Sequence, residues 1–169
     1  HHLILVDEDI PGDEGFWKMN PPLRGLADRQ ALIDGLLDGT IDCIATDHAP
    51  HGLEEKQQSF LNAPFGIVGS ETAFQLIYTN FVETGIFTLE QVIDWMAVKP
   101  AEIFGLNAGT LTIGAPADIA VFDLATAAPI DAEAFESMAV NTPFTGWTVK
   151  GKTLMTFVDG ALAWSEEAQ

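Results

Sequence analysis

Two histidines and one aspartate lie within a five-residue stretch of this sequence, at Asp47, His48 and His51. They follow residues 41–46, an apolar, β-rich run that predicts a buried strand. In barrel-type α/β folds the catalytic groups lie where strands end, and Asp and His bind divalent metals and transfer protons near neutral pH. The alternative is a capped turn whose polar side chains satisfy only the loop backbone. The chain has four histidines in all, and their concentration here favours a functional site.

Two further segments carry groups that could contact a small ligand. Asn20 stands between Met19 and two prolines, which gives a rigidly held side chain with both a donor and an acceptor. Phe65 and Gly66 lie in a long loop, residues 52–69, where glycine permits close approach of a ligand to the backbone. On local grounds alone, a surface turn at Asn20 and a plain loop at Phe65 are the simpler interpretations.

His1, His2 and Cys43 give weaker signals. Adjacent residues of a strand face opposite sides, so we do not expect His1 and His2 to bind one ion together. Cys43 fits a small core residue in the middle of a strand. As the single cysteine it cannot form an internal disulfide, which is typical of a reducing cytoplasm.

The site must be positioned by an α/β unit. Apolar spacing predicts a helix over residues 27–38 that ends at Gly39. The strand of residues 41–46 follows it, and the polar loop follows the strand. Residues 3–6 form another short apolar run, which we expect to be a strand.

The predicted secondary structure changes near residue 106, from mainly helical to mainly β. Helices are expected after Ser70 as far as about Thr84, after the capping-box sequence that begins at Thr88, and at Pro100. Beyond residue 106 the pattern is mainly β. Strands are expected at residues 119–122, 154–158 and 161–164, with a hairpin turn at Asp159-Gly160.

Composition excludes several classes of partner. The 169 residues include 25 Asp and Glu against 7 Lys and Arg, for a formal net charge of −18, and 47% of them are hydrophobic. So few cations argue against nucleic acid and against an anionic membrane surface. No apolar run approaches the ~18–20 residues of a spanning helix. The sequence opens at His1 without an initiator Met or a signal peptide, and we expect it to be part of a longer protein.

Six segments of the sequence resemble bacterial type I dihydroorotases of the amidohydrolase superfamily, and they occur in the order of that family. The segment Ala-Thr-Asp-His-Ala-Pro-His at residues 45–51, with Pro-Phe-Gly-Ile following at residue 64, is the most specific match. The other matching segments are residues 18–24, 38–42, 114–118 and 141–146, and the loop match extends over residues 63–72.

The resemblance implies the C-terminal portion of an amidohydrolase (β/α)8 TIM barrel plus a small, mainly β subdomain. Residues 1–106 would belong to the catalytic barrel and residues 107–169 to the subdomain. The implied activity is the reversible hydrolysis of L-dihydroorotate to N-carbamoyl-L-aspartate in pyrimidine biosynthesis, in the cytoplasm. A complete barrel needs about 250 residues.

The resemblance also implies the roles of individual residues. The family uses Zn2+, usually in a binuclear centre, and Asp47 matches the aspartate that is both a metal ligand and the general base. It would carry a proton to the departing nitrogen. Asn20 and His51 match substrate-binding positions, and Phe65 and Gly66 match a backbone contact to the pyrimidine ring.

The sequence departs from the family because the other metal ligands of the family would lie upstream of residue 3. We therefore expect these 169 residues alone to be inactive, since Asp47 by itself cannot hold a catalytic zinc. Two alternatives stay open: a hydantoinase- or allantoinase-like cyclic amidase, and a non-catalytic dihydroorotase-like assembly partner. A homodimer or an association with aspartate transcarbamoylase is a further expectation, and unpaired strand edges would favour self-association.

Overall fold

This computed structural model describes residues 1–168. Within these residues the α-helices end before residue 105, and all five strands begin beyond residue 118. The chain therefore mixes helix and sheet, with the β elements towards its end. The helices are α1 (Leu26–Asp38), α2 (Leu53–Lys56), α3 (Ala73–Ile77), α4 (Leu89–Ile93) and α5 (Lys99–Phe104); the strands are β1 (Ile119–Asp123), β2 (Ala128–Pro129), β3 (Thr148–Val149), β4 (Lys152–Val158) and β5 (Ala161–Ser165).

Short helical segments of other types complete the elements. π-helical turns at Tyr78–Val82 and Asp94–Val98 directly follow α3 and α4, so α4 continues without a break into α5. The 3-10 turns are Asp7–Asp9, Gly15–Trp17, Ala132–Ala134 and Glu166–Ala168.

Contacts divide the chain into two compact units. The first, which we call the loop unit, comprises His1–Ile41, Ala45–Ala73 and Pro129–Trp147. The second, the helix–sheet unit, comprises Asp42–Ile44, Phe74–Ala128 and the chain from Thr148 onward.

The loop unit is built around α1 and the segments that follow it. Gly39, with φ of 82°, ends α1 in the left-handed conformation that glycine adopts without strain, as the sequence predicts. Several apolar side chains of this unit are at least nine-tenths buried, among them Met19, Leu36, Ile67, Val68 and Phe144.

The helix–sheet unit packs aromatic side chains along its helices. The ring of Phe87 lies 4.7 Å from that of Phe81 and 4.9 Å from that of Trp95. These are favourable centroid separations for stacked and edge-to-face pairs. At the start of α4, Thr88 Oγ1 accepts from the Gln91 N–H, which confirms the predicted capping box.

The sheet of this second unit has three antiparallel strands in the order β1-β4-β5. Asp159 and Gly160 join β4 to β5 with φ angles of 48° and 78°. Positive φ at both central residues is what a type I′ hairpin requires, so the predicted hairpin is confirmed. A second, two-stranded sheet consists of β2 and β3.

Two predicted strands are wrong. Residues 3–6 carry no strand: residues 2–4 form a turn, and the N–H groups of Ile4 and Leu5 both donate to the His1 carbonyl. Residues 41–46 carry no strand either, because a strand exists through a ladder and no strand within residues 1–168 pairs with this run. Its Ile44 N–H donates instead to the carbonyl of Trp95 at 3.0 Å.

The predicted helix after Ser70 begins later than expected. The N–H groups of Thr72 and Ala73 both donate to the Gly69 carbonyl, so residues 69–73 form turns and α3 starts at Ala73. Among residues 1–168, no helix is long and apolar enough to cross a membrane.

Candidate functional site

The turn that carries Asp47 and His48 exposes both side chains. Asp47 has φ of 49°, a left-handed conformation that few residues other than Gly, Asn and Asp adopt. His48 Nδ1 accepts hydrogen bonds from the N–H groups of Gly69 (3.1 Å) and Ser70 (3.2 Å). An acceptor Nδ1 places the proton of a neutral ring on Nε2, so the His48 ring is fixed by the neighbouring loop.

The same loop is attached to its neighbours through the backbone. His48 and Ile67 form an isolated parallel β-bridge, in which the Ala49 N–H donates to the Ile67 carbonyl at 2.9 Å. The next residue, Val68, donates its N–H to the Asn141 carbonyl at 3.0 Å. Three stretches of chain that are far apart in sequence thus meet at this point.

Asn141 is the buried side chain at the centre of this meeting point, and it is 1% exposed. Its Oδ1 accepts from the His51 N–H at 3.2 Å, and its Nδ2 donates to the carbonyls of Ala49 (3.0 Å) and Gly66 (3.2 Å). Sequence reasoning quoted Asn141 as part of a motif and missed this role. The signal that could have found it is a polar residue between the apolar Val140 and a Thr-Pro pair.

His51 is half-buried and faces the loop of residues 64–66. Its Nε2 lies 2.8 Å from the Phe65 carbonyl oxygen. Because a carbonyl only accepts, we assign the proton to Nε2. A neutral ring then presents the lone pair of Nδ1, whereas a charged ring presents a second N–H donor there.

Gly66 occupies a position that no other residue fits without displacement. Its φ is 120°, and a Cβ atom placed on it would lie 2.5 Å from the Ala49 Cβ. Its backbone groups are also engaged inside the protein. The N–H donates to the Lys18 carbonyl at 3.0 Å, and the carbonyl accepts from both Lys56 and Asn141.

Lys56, at the end of α2, is a fully buried lysine that sequence reasoning missed. Its Nζ donates to the carbonyls of Lys18 (3.1 Å), Pro64 (2.9 Å) and Gly66 (2.8 Å). Burial, with a smaller effect from the charge of Lys18, lowers the pKa of the Lys56 ammonium from 10.5 to about 8. The neighbouring sequence does not predict that this lysine is buried, because Lys56 ends a charged Glu-Glu-Lys run, which is typical of an exposed surface.

Lys18, which is also buried, contacts the same loop. Its Nζ donates to the Leu61 carbonyl at 2.8 Å and stands 4.4 Å from the centre of the Phe65 ring. At this distance a cation is attracted to the ring face. Phe65 itself is 52% exposed, so its outer edge is accessible to a ligand.

The structure brings some of the predicted site residues into contact and leaves others apart. His51, Phe65 and Gly66 form one hydrogen-bonded group. Asp47 lies on the same loop as His51, four residues earlier. Asn20 is exposed and lies two residues after Lys18, whose carbonyl contacts Gly66.

The residues described do not form a complete metal site. Within residues 1–168, no group of three or more His, Cys, Asp or Glu side chains is placed to hold a metal ion. The rings of His1 and His2 lie 4.3 Å apart, and in this part of the chain their buried Nε2 atoms have no partner. Burial lowers the pKa of His2, while the Asp47 carboxylate acts to raise it. Cys43 is a free thiol.

Comparison with protein-family models identifies the family of this chain. Residues 23–163 match the amidohydrolase family. The matched region includes the loop of Asp47 and His51, the Phe65-Gly66 turn and Asn141.

Curated relatives match nearly the whole chain. It is 62% identical to a dihydroorotase of Bacillus caldolyticus over 166 residues, 98% of this chain and 39% of that protein. It is 58% identical to a dihydroorotase of Ligilactobacillus salivarius over 168 residues, 99% of this chain and 39% of that protein. The chain therefore spans well under half the length of these relatives.

Solved structures share the fold. An L-hydantoinase (dihydropyrimidinase) from Arthrobacter aurescens superposes with a TM-score of 0.81 at 33% identity, over 88% of this chain and 34% of that one. A D-hydantoinase from a Bacillus sp. AR9 superposes with a TM-score of 0.85 at 24% identity, over 98% of this chain and 38% of that one.

Proposed function

The chain belongs to the amidohydrolase family, and from this premise we propose that it is part of a dihydroorotase. Such an enzyme hydrolyses the cyclic amide of L-dihydroorotate, reversibly, to N-carbamoyl-L-aspartate. The observation that carries the proposal is the identity to dihydroorotases along nearly the whole chain. The hydrogen-bonded group of His51, Phe65 and Gly66, with Asp47 on the same loop as His51, supports it.

Within the parent fold, we assign residues 1–106 to the C-terminal portion of a (β/α)8 barrel and residues 107–169 to a mainly β subdomain. The placement of β1 to β5 beyond residue 118 supports the second assignment. This division follows the elements of the parent fold, and the two compact units divide the chain differently.

Asp47 is assigned as the general base. Its carboxylate is exposed at the end of a turn, where it can take the proton of the attacking water. The water oxygen bonds to the ring carbonyl carbon, the C–N bond breaks, and the proton passes to the departing nitrogen. Because one carboxylate both accepts and returns the proton, the residue ends the cycle as it began.

His51, Phe65 and Asn20 are assigned to substrate binding. With both ring nitrogens protonated, His51 would donate from Nδ1 to the substrate carboxylate or ring oxygen while Nε2 stays on the Phe65 carbonyl. Phe65 offers its backbone to the pyrimidine ring. The N–H and C=O of Gly66 are already hydrogen-bonded inside the protein. We therefore assign Gly66 a steric role: without a side chain, it lets the turn pack closely against its neighbours.

Zinc, in a binuclear centre, stays a prediction of the resemblance, and Asp47 is the one ligand that we assign to it. Catalytic zinc sites use three protein ligands, and residues 1–168 do not fit this requirement by themselves. We therefore place the other ligands in parts of the longer enzyme beyond these residues. A cytoplasmic location, a homodimer and an association with aspartate transcarbamoylase also stay predictions.

The test is a substrate panel with the purified full-length protein. We expect turnover of dihydroorotate and of N-carbamoyl-aspartate, followed by ultraviolet absorbance and by chromatography. Hydantoin, dihydrouracil and allantoin serve as matched cyclic amides without the ring carboxylate of dihydroorotate. Absence of turnover in both directions would overturn the proposal.

A hydantoinase-like cyclic amidase is the second candidate, and the structural likeness to hydantoinases favours it. The two enzymes would perform the same ring opening on rings with different substituents. Faster turnover of hydantoin or dihydrouracil than of dihydroorotate would select this second candidate.

A further inference from the structure

Lys56 places a charged ammonium group in the interior of the loop unit, and within residues 1–168 no carboxylate is paired with it. The side chain is 0% exposed, and each of the hydrogen bonds described for its Nζ ends on a backbone carbonyl. Burying a charge is costly unless hydrogen bonds compensate for it. An apolar side chain would avoid this cost, so the arrangement points to a specific role for the donors.

The three carbonyls that Lys56 binds belong to the segments that surround Phe65. Two of them, from Pro64 and Gly66, lie directly before and after Phe65 in the chain. The third, from Lys18, also accepts the Gly66 N–H. One ammonium group therefore fixes the backbone on both sides of Phe65 and joins it to the segment of residue 18.

This arrangement determines where the Phe65 carbonyl points. With the carbonyls of Pro64 and Gly66 held, the peptide group between Phe65 and Gly66 has little freedom to rotate. Its oxygen lies 2.8 Å from His51 Nε2. The orientation of the His51 ring, and of the Phe65 backbone beside it, thus depends on a side chain that contacts neither of them directly.

We propose that Lys56 is a positioning residue for substrate binding: it holds the Phe65-Gly66 turn so that the Phe65 carbonyl orients the His51 ring toward the substrate. An ammonium has three N–H donors, and all three are used by carbonyls, so none is left for a ligand. Lys56 is therefore not a catalytic residue. The proposal rests on the proposed function, because His51 and Phe65 are the substrate contacts that it serves.

The test compares Lys56→Met with Lys99→Met in the full-length protein. Methionine keeps an unbranched side chain, one heavy atom shorter than that of lysine, and removes the N–H donors. Lys99 is a surface lysine paired with Glu102 in the helix–sheet unit, so its replacement is the matched control. For Lys56→Met we expect KM for dihydroorotate to rise about tenfold or more, with kcat changed less than about threefold. Lys99→Met should change neither.

A spectroscopic readout separates positioning from general destabilisation. In protein labelled with 15N at histidine, we expect the His51 ring nitrogen signals of Lys56→Met to move away from those of the unmodified protein without substrate. The His48 signals should stay in place, since its partners are Gly69 and Ser70. A folded Lys56→Met variant with unchanged KM and unchanged His51 signals would overturn the proposal.

The unmodified protein supplies a test that does not depend on how the variant folds. The Lys56 ammonium protons should exchange with solvent much more slowly than those of Lys99, because all three are hydrogen-bonded in the interior. Exchange as fast as that of Lys99 would overturn the proposal. If the unmodified protein fails to turn over dihydroorotate, the proposed function fails, while the His51 signals and the Lys56 exchange rate still decide whether Lys56 positions the turn.

Discussion

Asp47 joins an exposed residue position to a left-handed backbone, so its carboxylate can be replaced without changing the backbone conformation. Asparagine tolerates the left-handed conformation as well as aspartate does, so Asp47→Asn should keep the turn and remove the base. We expect kcat for dihydroorotate to fall about 10²- to 10⁴-fold, with KM nearly unchanged, in steady-state assays of the full-length protein.

The matched control is Asp34→Asn. Asp34 is an exposed carboxylate on α1 that accepts a hydrogen bond from Gln30, and its replacement should leave kcat unchanged. An Asp47→Asn enzyme with kcat within threefold of the unmodified protein would contradict the assignment.

Gly66 is the residue whose substitution should cost the most among the glycines of the site. In Gly66→Ala, the new methyl group would lie 2.5 Å from the Ala49 Cβ at a φ of 120°. We expect the free energy of unfolding to fall by about 1–3 kcal/mol, measured by urea denaturation, and KM for dihydroorotate to rise.

Gly12→Ala separates the two causes of this loss. Gly12 has a similar φ of 140°, but a Cβ there would meet nothing within 4 Å. The variant therefore carries the backbone strain without the clash. Equal losses of stability in the two variants would show that the close approach to Ala49 is unimportant.

At the scale of single elements, the start of α4 depends on one hydroxyl group. Thr88 Oγ1 accepts from the Gln91 N–H at 3.2 Å, and Gln91 Oε1 accepts from the Thr88 N–H at 2.8 Å. We expect Thr88→Ala to lower the free energy of unfolding by about 1 kcal/mol. Thr88→Ser keeps the hydroxyl and should lose much less. If serine and alanine lower stability equally, the cap is not the cause.

Elements whose signals are local could be predicted from the sequence. Gly39 ends α1, Thr88 begins α4, and the Asp159-Gly160 turn joins β4 to β5. In each case a few neighbouring residues determine the backbone. The start of α3 was predicted about one turn too early, at Ser70. Residue propensities favour a helix there but do not show that the N–H groups of Thr72 and Ala73 both bond to the Gly69 carbonyl.

Elements that need distant partners could not be predicted in this way. The apolar run at residues 41–46 has the composition of a strand, but a strand also requires a neighbour at the right distance. The candidate site shows the same limit. Asn141 reaches the loop of His51 across 90 residues of sequence, and Lys56 reaches Lys18 across 38, so composition and spacing near either residue do not identify its partners.

For the molecule as a whole, Lys56 should make stability depend on pH in the alkaline range. Its pKa is about 8 in the folded protein and near 10.5 when exposed. Between these values the unfolded chain binds the proton more strongly, so the free energy of unfolding should rise with pH, by up to about 1.4 kcal/mol per pH unit. Lys18 is the charged neighbour that contributes to this shift, and burial is the larger cause.

Urea denaturation at intervals from pH 7 to pH 10.5 measures this slope. Lys56→Met should lose the contribution, whereas Lys99→Met should keep it, because Lys56 is intact in that variant; the hydrogen bond and charge of Glu102 raise the pKa of Lys99. Parallel curves for the unmodified protein and Lys56→Met would contradict the assigned pKa.

Metal binding also belongs to the whole molecule. Since residues 1–168 hold no group of three ligand side chains, we expect the isolated 169-residue chain to retain far less than one zinc per chain after gel filtration. It should also fail to turn over dihydroorotate when zinc is added. Elemental analysis checks the first expectation, with the full-length protein as the positive control. One tightly held zinc per isolated chain would contradict it.

The burial of Lys56 has a practical consequence for covalent labelling. Amine-acylating reagents should modify Lys99 and Lys152 first, since their side chains are 41% and 48% accessible to solvent, and leave Lys56 intact as long as the loop unit stays closed. Once the unit opens, the Lys56 amine becomes accessible to solvent and its pKa returns to about 10.5. Mass-spectrometric acylation at this single position would therefore serve as a built-in reporter of how often the loop unit opens.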